Sequence, residues 1–270
     1  MKHLTTLMAA LCLTVVLQAQ EPEIWEEDSV HLPYHVMIDS IFKHVDYSYV
    51  TTGVLADKAF QPTQIEKYNG TLSDTNKMYI QDFNALYAVM FMGATDTTNR
   101  LPEPMSEFIN HFDTLTSRNV IPIPVIYYNY DKFKSNTIED SLMYFSGIEL
   151  YDNLNRTESP YEQHYLFGAA PAVNIADTNV LQFRFTNDFY YSNTGKTIYS
   201  IQADFGDGAG YRNITMGTAI TVTYADNGDK TIKTKITYTD NLVLESHAII
   251  KINAKYITLA GGEQSQNRPG

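Results

Sequence analysis

The last third of the chain alternates apolar and polar residues in short runs separated by turn signals. In the first run Leu181, Phe183 and Phe185 fall on one face of an extended segment, and Gln182 and Arg184 fall on the other. The same alternation recurs over residues 198–205, 219–224, 231–238 and 242–252. Short strands in this arrangement are typical of an antiparallel β-sandwich of two sheets.

The turns between these runs are marked by their own residues. Asn-Gly within residues 226–229 predicts a hairpin turn, because both residues tolerate positive φ. A second turn is predicted over residues 239–241.

The chain before residue 170 mixes helical and extended patterns. Apolar residues recur at helical spacing over residues 34–46, 74–92 and 104–117, and Asp74 is the predicted N-cap of the second helix. Residues 120–128 are β-branched and aromatic, but two prolines restrict them to an edge strand or to a strand that is only partly paired. Residues 130–171 are polar, and parts of this stretch are expected to form a long loop.

These patterns predict two domains. Residues 21–170 are expected to form an α+β domain, and residues 171–258 an Ig-like antiparallel β-sandwich that folds by itself. Residues 259–270 have the composition of a linker.

The amino terminus resembles a targeting segment. Lys2 and His3 precede an apolar run over residues 4–16, and Ala19 offers a small residue for cleavage. The sequence therefore predicts a signal peptide over residues 1–20 and a protein that is secreted or displayed at the cell surface. The apolar run is too short to span a bilayer, and no membrane span is predicted elsewhere.

Charge and cysteine content exclude several classes of function. The formal net charge is −12, and no run of basic residues occurs, so a nucleic-acid partner is not expected. The single cysteine, Cys12, lies within the predicted signal peptide. Disulfides, thiolate metal sites and cysteine nucleophiles are therefore not expected in the exported chain.

The carboxyl-terminal part resembles a PKD-like domain through a short turn motif. The motif consists of Asp204, Phe205, Gly206, Asp207 and Gly208. Tyr224 and Gly228 follow in the order and at the spacing of that family. The resemblance implies a β-sandwich that presents loops or separates neighbouring domains.

The whole chain is similar to the N-terminal region of large secreted proteins of Bacteroidota that use type IX secretion. The elements that support this similarity are residues 52–57, 69–71, 121–124 and 191–196. The resemblance implies secretion and further domains in the same polypeptide. It implies no reaction.

Two groups of residues are candidates for binding. Hard cations prefer carboxylate oxygens, so a Ca²⁺ site could use Asp204, Asp207, Asp226 and Asp229. The alternative is that these residues only form turns. Tyrosines could stack on a glycan or contact a protein, and the candidates are Tyr127, Tyr128, Tyr130, Tyr190 and Tyr191. Their alternative is to fill a β-rich core.

The sequence contains no recognised catalytic motif. It has no nucleophile elbow, no phosphate loop and no zinc-binding pattern, so an enzyme is not expected. The predicted function is a non-catalytic binding or spacer module of a secreted or cell-surface bacterial protein, without a cofactor, whose partner is a protein or a glycan. The alternatives are a carbohydrate-binding accessory module and the N-terminal part of a secreted hydrolase.

Overall fold

A computed structural model describes residues 33–95, 105–116, 120–258 and 264–266. The predicted signal peptide, with its cleavage near Ala19, lies outside the described residues. Within them, β-strands in several sheets predominate and helices are few, which is compatible with a β-sandwich. No described helix combines the length and the apolarity needed to cross a membrane.

The chain divides into two compact units. Unit 1 comprises the residues up to Thr51 together with Lys132–Glu162, and unit 2 comprises Thr52–Asp131 together with Gln163–Gly270. Unit 1 thus consists of two separate segments of the chain, and so does unit 2.

Three α-helices lie in the first half of the chain: α1 (Pro33–Ile41), α2 (Ile80–Gly93) and α3 (Met105–Thr116). The bounds of α3 confirm the prediction. The start of α2 was predicted six residues too early, and Asp74 is not its N-cap. Asp74 lies in a turn and Met78 forms a β-bridge with Ala248, so the helix cannot begin before them. The carboxylate of Asp82 accepts a hydrogen bond from the Tyr79 N–H at the actual start.

The strands follow in chain order as β1 (Val120–Pro122), β2 (Val125–Phe133), β3 (Met143–Ser146), β4 (Glu149–Asp152), β5 (Tyr161–Ala169), β6 (Ile175–Ala176), β7 (Val180–Arg184), β8 (Tyr190–Ser192), β9 (Ile198–Asp204), β10 (Arg212–Ile214), β11 (Ile220–Thr223), β12 (Gly228–Tyr238), β13 (Val243–Ile252), β14 (Tyr256–Thr258) and β15 (Gln264–Gln266). The alternation predicted β7, β9, β11, β12 and β13 to within a few residues. Strand β15 lies in the predicted linker-like tail and pairs with β14, so these three residues are strand rather than linker.

Two sheets of unit 2 share one apolar core. The larger has the order β10-β9-β12-β13-β6, and the smaller has the order β1-β7-β11. Ile201, Phe205 and Ile236 from the side of the larger sheet, and Phe183 and Val222 from the smaller, belong to this core. The outward residue Gln182 is exposed, as the period of two predicts.

This core extends beyond the predicted sandwich. Strand β1 pairs in parallel with β7, and its Ile121 is buried in the same core. Tyr127 of β2 and Phe167 of β5 are buried there as well. The sequence-based boundary at residue 170 therefore separates residues that pack together, and whether residues 171–258 fold alone stays a prediction.

A second core of unit 2 forms around α2. Phe83, Leu86 and Tyr87 of that helix are fully buried, and Phe108 of α3 stacks on Tyr87 with ring centroids 4.0 Å apart. Ala248 of β13 belongs to this second core. The apolar spacing that predicted α2 therefore also marks the face that it buries, whereas Ile109 of the predicted face of α3 is exposed.

The segment over residues 70–78 lies alongside strand β13 and is hydrogen-bonded to it. The Gly70 carbonyl accepts a hydrogen bond from the Glu245 N–H, and Met78 exchanges backbone hydrogen bonds with His247 and Ile249. Backbone groups of β13 that would otherwise need a partner are thereby paired within the chain.

The predicted turn at residues 226–229 is not a hairpin. Strand β11, before it, pairs with β7 in the smaller sheet, and β12, after it, pairs with β9 and β13 in the larger sheet. The segment connects two sheets. The turn at residues 239–241 does join β12 and β13 as a hairpin, with Asn241 at a φ of 67°.

Unit 1 has its own small core. Ile38 and Ile41 of α1 are buried, and Phe42 stacks on Phe133 at 6.0 Å. Strands β3 and β4 form an antiparallel hairpin. The polar stretch over residues 130–171, parts of which were expected as loop, therefore contains β3, β4 and β5.

Candidate functional site

The PKD-like motif forms a turn that its own side chains close. The Asp204 carboxylate accepts a hydrogen bond from the Gly206 N–H at 3.0 Å, and Asp207 pairs with Arg212 at 2.9 Å. The Arg212 guanidinium lies over the buried ring of Phe205, 4.7 Å from its centroid. These contacts engage the carboxylates of both aspartates of the turn from within.

Gly206 is required by the geometry of this turn. Its φ is +71°, a region that side chains with a Cβ rarely adopt, and an added Cβ would lie 2.7 Å from the Thr231 carbonyl oxygen. Gly208 also has a positive φ, of +88°, but its Cβ would meet open space. The motif thus has a definite structural role.

The four candidate Ca²⁺ ligands do not form a group. Asp207 is paired with Arg212, and Asp226 is paired with Lys230, four residues further along the chain. The described part of the chain contains no group of three or more His, Cys, Asp or Glu side chains that could hold a metal ion.

The candidate tyrosine platform lies mostly in the interior. The side chains of Tyr127, Tyr128, Tyr130 and Tyr191 are buried, and Tyr190 is half-buried with its hydroxyl 3.2 Å from that of Tyr238. Burial raises the pKa of Tyr127 to about 12, with smaller contributions from Tyr165, Tyr190 and Asp240. A glycan needs an exposed ring face, so the hypothesis of a platform is corrected: these rings fill the core.

Unit 1 contains a cleft that the sequence did not predict, which we call the Arg156 cleft. Its volume is about 300 Å³, at the lower end of ordinary ligand pockets. It is lined by Asp46, Tyr49, Asp152, Asn153, Leu154, Arg156, Thr157, Glu158 and Ser159. The residues come from the turn after α1 and from the connection between β4 and β5.

Local hydrogen bonds fix the connection that forms one wall of the cleft. The side-chain oxygen of Asn153 accepts from the Asn155 N–H at 3.0 Å, and its carbonyl accepts from the Arg156 N–H at 3.0 Å. This is the type of turn that asparagine favours, since its side chain imitates a backbone carbonyl. The turn places Arg156 back beside Asp152.

A buried ion pair lies at the base of the cleft. Arg156 Nη1 and Asp152 Oδ1 are 3.3 Å apart, and the two side chains are only 10% and 6% exposed. The second oxygen of Asp152 accepts from the Asp46 N–H at 2.7 Å, which links the two segments of unit 1. Neither Arg156 Nη1 nor Asp152 Oδ1 makes a hydrogen bond to any residue described in the structure.

An aromatic ring lies beside this ion pair. The Arg156 guanidinium is 4.3 Å from the centroid of the Tyr49 ring, within the range of a cation–π contact. Tyr49 is 54% exposed and Leu154 is 94% exposed. The cleft therefore combines a fixed cation with an accessible ring and an accessible aliphatic side chain.

The electrostatics of the rim favour ionised carboxylates. Hydrogen bonds from Ser48 hold the pKa of Asp46 below its usual value, and the charge of Arg156 lowers it further. Glu158 forms an ion pair with Lys134 at 2.7 Å. Because the pKa of Asp46 is lowered, its carboxyl is poorly suited to act as a general acid at neutral pH.

The outer face of the β3–β4 hairpin carries a second aromatic group. His44 stacks on Tyr151 at 4.1 Å, and Tyr151 stacks on Tyr144 at 5.5 Å. Glu149 accepts a hydrogen bond from the Tyr151 hydroxyl, which lowers the pKa of Glu149 and raises that of Tyr151. These rings cover one another, so each stack leaves fewer free ring faces.

No protein-family model matches the chain, and no curated protein is significantly similar to it.

Proposed function

We propose that the chain is a non-catalytic ligand-binding module of an exported bacterial protein, and that the Arg156 cleft holds the ligand. The observation on which this rests is the buried Arg156–Asp152 pair beside the exposed Tyr49 ring. Burying two charges costs several kcal/mol in desolvation, and a pair alone offsets this only in part. The paired guanidinium fixes the accessible Tyr49 ring through the cation–π contact, and a fixed ring suits recognition.

The state of the rim carboxylates supports binding rather than catalysis. Asp46 is held in its ionised form, and Asp152 is committed to Arg156 and to a backbone N–H. A hydrolase that uses two carboxylates needs one with a raised pKa, which then donates a proton. At the rim, the pKa of Asp46 is lowered rather than raised.

The PKD-like resemblance of the segment from residue 171 suits a spacer or a presenting scaffold. The closed turn at Asp204–Gly208 and the alternation of buried residues support an Ig-like sandwich for this segment. We propose that this part supports the neighbouring domains of a larger secreted polypeptide.

A variant that fills the cleft tests the proposal. Thr157 is exposed at the cleft, so Thr157→Trp should obstruct the cleft without disturbing the core. The matched control is Thr218→Trp, which changes an exposed threonine of unit 2. Both variants and the parent chain would be screened against glycans and peptides by ligand-induced thermal shift.

The proposal expects ligands that stabilise the parent and the control but not Thr157→Trp. Ligands that stabilise all three proteins equally would place binding elsewhere and contradict the proposal. The same contradiction would follow if no glycan or peptide stabilised the parent.

A further inference from the structure

The side chains of the Arg156 cleft narrow the chemistry of its ligand. Carboxylates accept hydrogen bonds only, a guanidinium donates only, and an amide does both. The rim presents the carboxylate of Asp46 and the hydroxyl of Thr157 within one small volume, while the Asn153 amide is already bonded to the Asn155 N–H and to the Ser141 carbonyl. A ligand that bears many hydroxyl groups matches this mixture, because each hydroxyl both donates and accepts.

The exposed ring of Tyr49 adds a second requirement. One side of the ring faces the Arg156 guanidinium, yet the side chain remains 54% exposed. A free aromatic face packs against flat apolar surface, such as the C–H face of a sugar ring. Leu154 adds apolar surface at the same cleft.

The charges of the cleft favour neutral sugars over acidic sugars as ligands. Asp152 is compensated by Arg156, and Glu158 is compensated by Lys134. Among the described residues Asp46 has no ion-pair partner at salt-bridge distance, so the cleft retains one negative charge. A ligand carboxylate or sulfate would be repelled by Asp46 and would lack a free cation to bind.

We infer that the Arg156 cleft binds a neutral sugar of a glycan, with its ring on Tyr49 and its hydroxyls on the polar rim. This inference rests on the proposed function and specifies its ligand. Asp46 then acts as the residue that selects against acidic sugars.

The test measures binding of matched neutral and uronic-acid oligosaccharides to the exported chain by calorimetry and NMR. The neutral sugar should bind about fivefold or more tightly than the acidic one at low salt. Asp46→Asn should bring this ratio towards one, since asparagine keeps an acceptor for Ser48 but removes the charge. The control Asp229→Asn, an exposed position in unit 2, should leave the ratio unchanged.

A second variant tests the contact with the ring. Tyr49→Ala should weaken neutral-sugar binding by about tenfold, whereas Tyr199→Ala, at an exposed tyrosine of unit 2, should not. Equal losses in both variants would contradict the inference. Equal affinity of the parent chain for neutral and acidic sugars would also overturn it.

The remaining outcomes separate this inference from the proposed function. If no neutral glycan shifts the NMR signals of cleft residues but a peptide does, the inference fails and the binding module stands. If neither class of probe shifts those signals, both fail.

Discussion

The molecule contains two arrangements of an arginine, an aspartate and an aromatic ring, with different consequences. In unit 1, Arg156 pairs with Asp152 and lies over Tyr49; in unit 2, Arg212 pairs with Asp207 and lies over Phe205. The Phe205 ring is fully buried, whereas Tyr49 is 54% exposed.

The comparison shows that contact geometry alone does not identify a binding site. The Arg212 arrangement covers a ring that belongs to the apolar core, so the arginine completes the packing of a turn. The Arg156 arrangement leaves its ring at an open cleft. The exposure of the ring, rather than the ion pair, distinguishes a structural group from a candidate for recognition.

The largest effect on stability is expected when residues that pack around the Arg212 arrangement are removed from the chain. Residues 171–260 alone lack Ile121, Tyr127 and Phe167, which complete the core around Phe205. We expect this fragment to show no cooperative thermal transition by circular dichroism, in contrast to what the sequence pattern predicts. Residues 52–270, which include all of unit 2, are the matched control and should unfold cooperatively.

A sharp transition of the short fragment would show that the sandwich is independent. The Phe205 arrangement would then be self-sufficient, and the boundary at residue 170 would mark a true domain.

The two rings can be compared directly by substitution. Phe205→Ala should lower the free energy of unfolding by about 3–5 kcal/mol, because it opens a cavity in the core. Tyr49→Ala should cost about 1 kcal/mol or less, the scale of an exposed cation–π contact. Denaturant unfolding of both variants measures the difference, and equal losses would remove the distinction between the two arrangements.

Substitutions in the turn next to Phe205 should have a smaller effect on the free energy of unfolding. Gly206→Val should cost about 2–4 kcal/mol, because valine adds strain at positive φ and a clash with the Thr231 carbonyl. Gly208→Val shares the positive φ but has open space, so it should cost about 1–2 kcal/mol. Melting temperatures of both variants provide the measurement; a Gly206→Val protein that melts like the parent would show that the turn relaxes freely.

The smallest effect concerns the titration of tyrosines. Burial raises the pKa of Tyr127 to about 12 and of Tyr211 to about 12, and it raises the pKa of Tyr128 further. The neutral form is favoured in the folded state, so this stability is complete below pH 10 and is lost as pH rises towards 12.

Tyrosinate absorbance followed against pH measures this effect. Tyr127 and Tyr128 should ionise only as the fold is lost, because burial raises the pKa of both. Reversible ionisation of all tyrosines near pH 10 would contradict the buried placement.

Local patterns predicted much of unit 2 but not the pairing of its strands. The alternation at Leu181, Phe183 and Phe185 identified a buried face because side chains alternate across a strand. Asn-Gly at residues 227–228 suggested a hairpin, yet β11 pairs with β7, some forty residues earlier. Turn chemistry describes the local backbone and does not specify which strands become neighbours.

The Arg156 cleft could not be predicted from the sequence because it also depends on contacts between residues that are distant in the chain. Asp46 and Asp152, which are joined by a hydrogen bond, lie 106 residues apart in the chain. Strands β3 and β4 have four residues each, too short for their alternation to be distinguished from loop. Only the Asx turn at Asn153 left a local signal, in the run Asn-Leu-Asn-Arg.

The segment over residues 70–78, which lies alongside β13, affects how readily the protein would aggregate at high concentration. Exposed sheet edges can recruit strands from other molecules and so begin aggregation. The pairing of Gly70 and Met78 with β13 withdraws backbone groups from such contacts, and at the opposite edge β10 has only three residues. At high concentration the protein would thereby be protected from polymerisation through this sheet.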